Sequence, residues 1–169
     1  MPLLGGTIES PRELYMHKLG AALKMENTIL EMIPQLEEHA NNEQLRQALE
    51  HHRQETERHV ANVERAIQAL GEEPNESPCP AIEGLEKEGQ SNLKTVDDSL
   101  NDHVIVSGVC ETEHHEIAVY EGLITHADEM GHEDVVALLQ ENLEQEEHTL
   151  KEVEKATKKQ AKQLAEAAA

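Results

Sequence analysis

Four long stretches of this chain space their apolar residues three and four apart, and each stripe is broken near its middle by glutamate. The first reads Leu19, Leu23, Glu26, Leu30, Ile33, and the second Leu45, Ala48, His52, Glu55, His59, Val63, Ala66, Leu70. The third reads Val106, Val109, Glu113, Glu116, Tyr120, Leu123, and the fourth Leu139, Leu143, Glu146, Leu150, Val153. This spacing marks one face of a helix, the face that turns toward a core. A carboxylate buried there without a partner is strongly unfavourable, so each needs a counter-charge, a proton or a wet cavity.

A single glutamate in an apolar stripe is ordinarily an edge residue whose head reaches water. Five of them on four helices, with His52 and His59 one turn either side of Glu55, are harder to dismiss. The stripes hold no Lys or Arg to pair with them, and such a cluster does not stay ionised in a dry core. Two divalent cations would supply four positive charges and take the carboxylates as oxygen ligands. Carboxylate with imidazole suits iron, or manganese, better than a thiolate-loving metal. Inward-facing Glu and His on four helices is the plan of di-iron and di-manganese carboxylate bundles.

Composition agrees with an all-α fold. The 169 residues include no Phe or Trp and only two Tyr, so the core must be built from Leu, Ile, Val, Ala and Met. One domain is the expectation for this length. The net charge of -21 excludes a basic footprint for nucleic acid and argues against docking on an anionic membrane. No apolar run approaches the ~20 residues of a membrane span. The start, Met1-Pro-Leu-Leu-Gly-Gly, lacks a basic region followed by an apolar one, so a cytoplasmic protein is expected. Cys79 and Cys110 form neither a disulfide framework nor a zinc knuckle and are read as reduced thiols.

Punctuation sets the element order. Residues 1–9 form a lead-in, residues 10–157 the bundle domain and residues 158–169 a polar, Lys- and Ala-rich tail that either extends the last helix or frays. Ser10-Pro11 with Glu13 starts a first helix that runs to about His39, with a kink expected at Pro34. A turn at Asn41-Asn42 leads into a second helix from about Asn42 to Leu70, closed by Gly71. The proline-rich stretch Glu72–Pro80 and a short helix at about 81–93 make a connection long enough to cross the bundle. The third long helix spans about Asp98–Glu129 and the fourth runs from Glu133 to at least Lys155. The expected plan is two antiparallel hairpins joined by one long crossover.

At this point the chain resembles a known family. Glu113-His-His-Glu-Ile-Ala-Val-Tyr120 is similar to the E-H-Y-E-I-A-x-Y signature of the YciF-like and YciE-like ferritin-like proteins. His52-Arg-Gln-Glu-Thr56 resembles that family's H-x-x-E-T, and Met25-Glu26, Cys79-Pro-Ala-Ile-Glu-Gly-Leu85 and Glu146 also match. The likeness spans roughly residues 12–155. It implies a rubrerythrin-like ferritin-like four-helix bundle, commonly a homodimer, with a di-iron centre and an association with stress. Carried over, the metal ligands are Glu26, Glu55, Glu113, Glu116 and Glu146, with His52 in the second helix's motif. In a di-iron reading Glu55 and Glu146 are then the bridging ligands, Glu26 and Glu113 the terminal ones and Glu116 a terminal or switching one; His52 completes the shell and His59 is the reserve.

The chain departs from the wider di-iron pattern, because Glu55 and Glu146 are followed three residues later by Arg58 and Thr149 rather than His. It also has no Cys-x-x-Cys pair, so repeated redox turnover needs an external electron donor. Two functions follow. One is a di-iron protein reacting with O2 or hydrogen peroxide, ferroxidase- or peroxidase-like, in oxidative-stress defence. The other is a non-catalytic metal-binding or structural stress-response dimer. Rapid oxidation of Fe(II) separates the first from the second.

Overall fold

The helix boundaries are built from local chemistry. Ser10 Oγ accepts from Glu13 N at 3.1 Å while Glu13 Oε2 accepts from Ser10 N at 3.2 Å, a reciprocal capping box with Pro11 at the first helical position. Asn42 caps the next helix, its Oδ1 accepting from Gln44 N at 2.7 Å. Gly71 (φ 80°) and Gly131 (φ 75°) sit just past helix ends in the left-handed region, where a side chain is strained. The computed structural model describes residues 7–167, and its elements are α1 (Pro11–His39), α2 (Glu43–Ala69), α3 (Pro80–Thr95), α4 (Asn101–Glu129) and α5 (Glu133–Ala167). Strands are absent among the described residues. Residues 1–6 of the lead-in and 168–169 of the tail lie outside them.

Two boundaries differ from the sequence reading, and a third, left open there, is decided. The expected start of the third long helix at Asp98 is a 3-10 turn, Asp98–Leu100, before α4 begins. Asp97 takes the Ser99 backbone N–H at 3.0 Å and tightens the chain there. The short helix is longer than expected, Pro80–Thr95. The polar tail does not fray at residue 158: α5 runs on through Ala167, as its Ala, Lys, Gln and Glu favour. Gln160 Nε2 also donates to Asp102 O at 3.2 Å. Pro34 is carried inside α1 without interrupting it.

Four of the helices form a ring, α1 beside α2 and α4, and α5 beside α2 and α4. Hydrogen bonds fix their directions. Asn101 Nδ2 donates to His39 O at 3.2 Å, placing the start of α4 at the end of α1, while Tyr15 OH donates to Leu123 O at 3.1 Å at the other end. α4 is therefore antiparallel to α1 and parallel to α2, which is what a crossover of this length allows. Asn62 Nδ2 donates to Asn142 Oδ1 at 2.8 Å, setting α2 against an antiparallel α5.

The crossover is laid down along α1. Arg12 holds Leu70 O and Glu72, and Asn27 holds Glu76 at 2.8 Å. Between them Gly20 lets the loop approach, for a Cβ there would stand 2.5 Å from Ser77 Oγ and 2.7 Å from Asn75 O. α3 then packs over α1 and α4. The interior is aliphatic, with Leu19, Met25, Ile33, Ile67, Ile105 and Leu139 fully buried, each worth about 1.5–3 kcal/mol of removal from water. No described helix is long and apolar enough to cross a membrane.

Candidate metal centre

The aliphatic core is interrupted along the bundle by two buried clusters. Glu26 of α1, His59 of α2 and Glu146 of α5 form one; His52 of α2 with Glu113 and Glu116 of α4 forms the other. Within each cluster one ligand atom per residue lies within 4.8 Å of the other two. The four carboxylates are fully buried and the two histidines nearly so. His59 Nδ1 is 2.8 Å from Glu146 Oε1 and 3.6 Å from Glu26 Oε2, and His52 Nε2 is 3.3 Å from Glu113 Oε1. These side chains converge because 52 and 59, and 113, 116 and 120, recur on single ridges of α2 and α4.

The donor set fits metal ions. Both oxygens of Glu113 and Glu116, Oε2 of Glu146 and of Glu26, and Nδ1 of His52 are buried with no hydrogen-bond partner, while His59 Nδ1 and Glu146 Oε1 face each other at 2.8 Å. A fold does not ordinarily leave so many polar atoms unpaired in one place. Burial pushes the carboxyls of Glu113 and Glu116 well above the usual range, and the negative charge of Glu146 pushes them further. Burial likewise raises Glu26. For His59, burial works against the charge, but Glu146 and Glu26 overcome it and lift the imidazole to about 11. Burial also disfavours ionisation of Glu146, yet its contact with His59 wins and holds it low. Burial keeps His52 low and hence neutral, the form that donates a lone pair. These shifts favour the protonated forms of Glu26, Glu113, Glu116 and His59 in the metal-free protein.

The structure brings together Glu26, His52, Glu113, Glu116 and Glu146 of the expected ligands. It does not place Glu55 in either cluster. On a helix of 3.6 residues per turn, His52 and His59 are seven apart and nearly in line, while Glu55 is turned from that line by roughly 40–60°. Its carboxylate instead faces His51 Nε2 at 3.4 Å. The reserve residue, His59, lies in the first cluster. Glu146 and, more weakly, Glu26 act by their charge on both Glu113 and Glu116 from the neighbouring cluster.

A sequence profile described as a domain of unknown function, DUF892, matches residues 10–166. The chain belongs to the DUF892 family. It is similar to Protein YciF of Escherichia coli, with 29% identity over 142 residues, 81% of this chain and 84% of that protein. The solved structure of YcfI from Rhodopseudomonas palustris superposes with a TM-score of 0.85 at 32% identity, covering 90% of this chain and 98% of that one. That of the E. coli stress protein YciF gives 0.83 at 24% identity, covering 89% and 96%, and so speaks to the fold. The YciF-like likeness read from the sequence is thus shown.

Around the clusters of this DUF892 bundle runs a polar network that the stripes did not reveal. Gln145 Oε1 lies 2.8 Å from His59 Nε2, so that nitrogen donates and Nδ1 faces the carboxylates. Tyr120 OH donates to Glu26 Oε1. It accepts from Asn142 Nδ2 at 3.0 Å, and Asn142 is itself held by Asn62 and by His59 O. Asn62 and Asn142 are buried polar residues on apolar faces, and that was the available signal. Tyr120→Phe keeps the packing and frees Glu26. Metal affinity of the first cluster should fall about 10–100-fold, the usual effect of losing an outer hydrogen bond. Titration with Mn(II) checks this, and an unchanged affinity would reduce Tyr120 to packing.

Proposed function

We propose that this chain is a di-metal carboxylate protein that holds two iron ions, or two manganese ions, and reacts with O2 or hydrogen peroxide in oxidative-stress defence. The observation that carries the reading is the pair of buried Glu/His clusters with unpartnered oxygens and no Lys or Arg among them. Glu26, His59 and Glu146 would hold one ion and His52, Glu113 and Glu116 the other, with Glu146 set to reach both. That the similar E. coli protein is a stress protein supports the setting.

When bound, iron supplies two electrons, one from each Fe(II), which with two protons reduce O2 to hydrogen peroxide or hydrogen peroxide to two waters. The chain's own residues do the rest. Glu113 and Glu116 would bind as carboxylates, releasing the protons that burial favours. His59 would give up its Nδ1 proton while Gln145 keeps the ring oriented. Tyr120 and Asn142 fix Glu26. The aliphatic shell keeps bulk water from the site, which strengthens every charge interaction within it. Glu55, beside His52 and Glu113, adds negative charge to their field.

The second reading is a non-catalytic metal-binding or structural homodimer, and YcfI, described as a candidate structural protein, favours it. Metal analysis of protein purified without chelator decides first. About two ions per chain, as the two buried clusters call for, should be found in the parent and lost in Glu113→Ala with Glu146→Ala. Stopped-flow oxidation of the Fe(II) form then separates enzyme from store. A parent that folds but takes up neither Fe(II) nor Mn(II) would sink the di-metal reading.

A further inference from the structure

An apolar cavity of about 40 Å³ lies among α1, α2, α3 and α4 and is lined in part by Thr112 and by His52 and Glu113 of the second cluster. Its walls are almost wholly aliphatic, among them Ile29, Ile33, Leu49 and Val109. It shares Met32, Leu36, Gly89 and Leu93 with an outer cleft of about 200 Å³, which opens among Gln35, His39, Gln90 and Lys94. Gln90 Nε2 donates to Gln35 Oε1 at 3.3 Å, bridging α3 and α1 near that mouth. The outer cleft and the cavity that reaches His52 thus adjoin across these four shared residues.

Two glycines border it, Gly89 in the middle of α3 and Gly108 in α4. Glycine inside a helix costs about 1 kcal/mol relative to alanine, so it needs a reason. Neither takes a positive φ, and a Cβ at either would meet nothing within 4 Å. Gly20 by contrast is required by its close neighbours. Both stand on the border of the cavity, so a leucine at either adds bulk at its edge.

We propose that this passage admits O2 to the metal centre from the surface between α1 and α3, which assigns O2 rather than hydrogen peroxide as the oxidant it serves. This rests on the di-metal reading. The space exceeds the ~10–15 Å³ that one water needs, yet offers few polar partners, so water and peroxide lose hydrogen bonds on entering while a small apolar molecule loses none. α3, which the crossover lays over the bundle, is the passage's outer wall.

Xenon is the probe that tests the passage without metal or turnover. Crystals of the chelator-treated protein under xenon should show density in the cavity, and Gly108→Leu or Gly89→Leu should remove it. Both variants should keep or raise the melting temperature, since leucine is the better helix former. In Fe(II)-loaded protein either variant should slow oxidation by O2 about tenfold, an entry barrier higher by ~1.4 kcal/mol, and leave oxidation by hydrogen peroxide unchanged. Absence of xenon from the parent's cavity would overturn the passage. So would xenon loss without slower O2 oxidation, or equal slowing with both oxidants. A parent that binds xenon there but no metal would overturn the proposed function and this role with it, whereas metal binding without xenon overturns the passage alone.

Discussion

Glu116→Met should make the metal-free protein more stable and the metal-loaded protein less so. Glu116 is fully buried, both its oxygens lack hydrogen-bond partners, and burial together with Glu146, Glu26 and Glu113 raises its pKa. Whether it sits there as a carboxylate or as an acid, it gives up hydration and regains little. Replacing buried charged groups by apolar side chains of similar volume is often neutral or stabilising by roughly 1–4 kcal/mol. In a protein of this size each kcal/mol moves the melting temperature by about 2–4 °C. The expected readout is a rise of at least about 2 °C in chelator, on the same conversion. With Mn(II) present the variant should bind one ion fewer per chain and lose part of the parent's metal-dependent gain. The crossing of sign is diagnostic. A lower melting temperature in chelator would mean that Glu116 is satisfied inside the fold and structural, and the second cluster would lose its case as a metal site.

The thermal stabilisation produced by metal should be small near pH 5 and large near pH 7.5. Glu26, Glu113 and Glu116 have folded pKa values raised above their unfolded ones. Their contribution to stability is complete below the unfolded value and is lost as pH rises through the folded values. His59, lifted from 6.5 to about 11, behaves the same way: its contribution is full below 6.5 and disappears on the way to 11. Glu146, held low, contributes above the ordinary carboxylate range and is lost only as pH falls below it. From about pH 5 upward the metal-free protein should therefore lose stability, most of these groups acting together.

Metal binding takes its ligands deprotonated, so affinity grows over the same interval. At a free concentration 100 times the dissociation constant one site adds about 2.7 kcal/mol, or roughly 5–10 °C here. Melting curves at pH 5, 6.25 and 7.5, with and without redox-inert Zn(II), measure it. A metal-dependent gain that is the same at all three values would contradict the protonated clusters described above.

The sequence by itself determined the elements and most of the buried acids. Ser10 with Glu13, Asn42, Gly71 and Gly131 mark helix ends through chemistry confined to a few residues. The glutamates at 26, 113, 116 and 146 stand on apolar ridges whose period is written in the chain, so their burial was legible. The length of the crossover likewise allowed the parallel placing of α2 and α4. Where the reading fell short, the cause was orientation. Periodicity locates a helix face only to within the roughly 100° between neighbouring residues, and His52, Glu55 and His59 all fall within that arc.

Only the tertiary structure chose among them, because α2 packs between α1 and α5. That packing buries Glu55 along with the 52–59 ridge but sets its carboxylate 3.4 Å from His51 Nε2, outside both clusters. The hydrogen bonds of Tyr120, Asn142, Asn62 and Gln145 join residues up to 94 positions apart, which no local pattern encodes. The passage beneath α3 is likewise a property of four helices together. Its two glycines look like weak points in α3 and α4 until the helices are assembled around the space they leave.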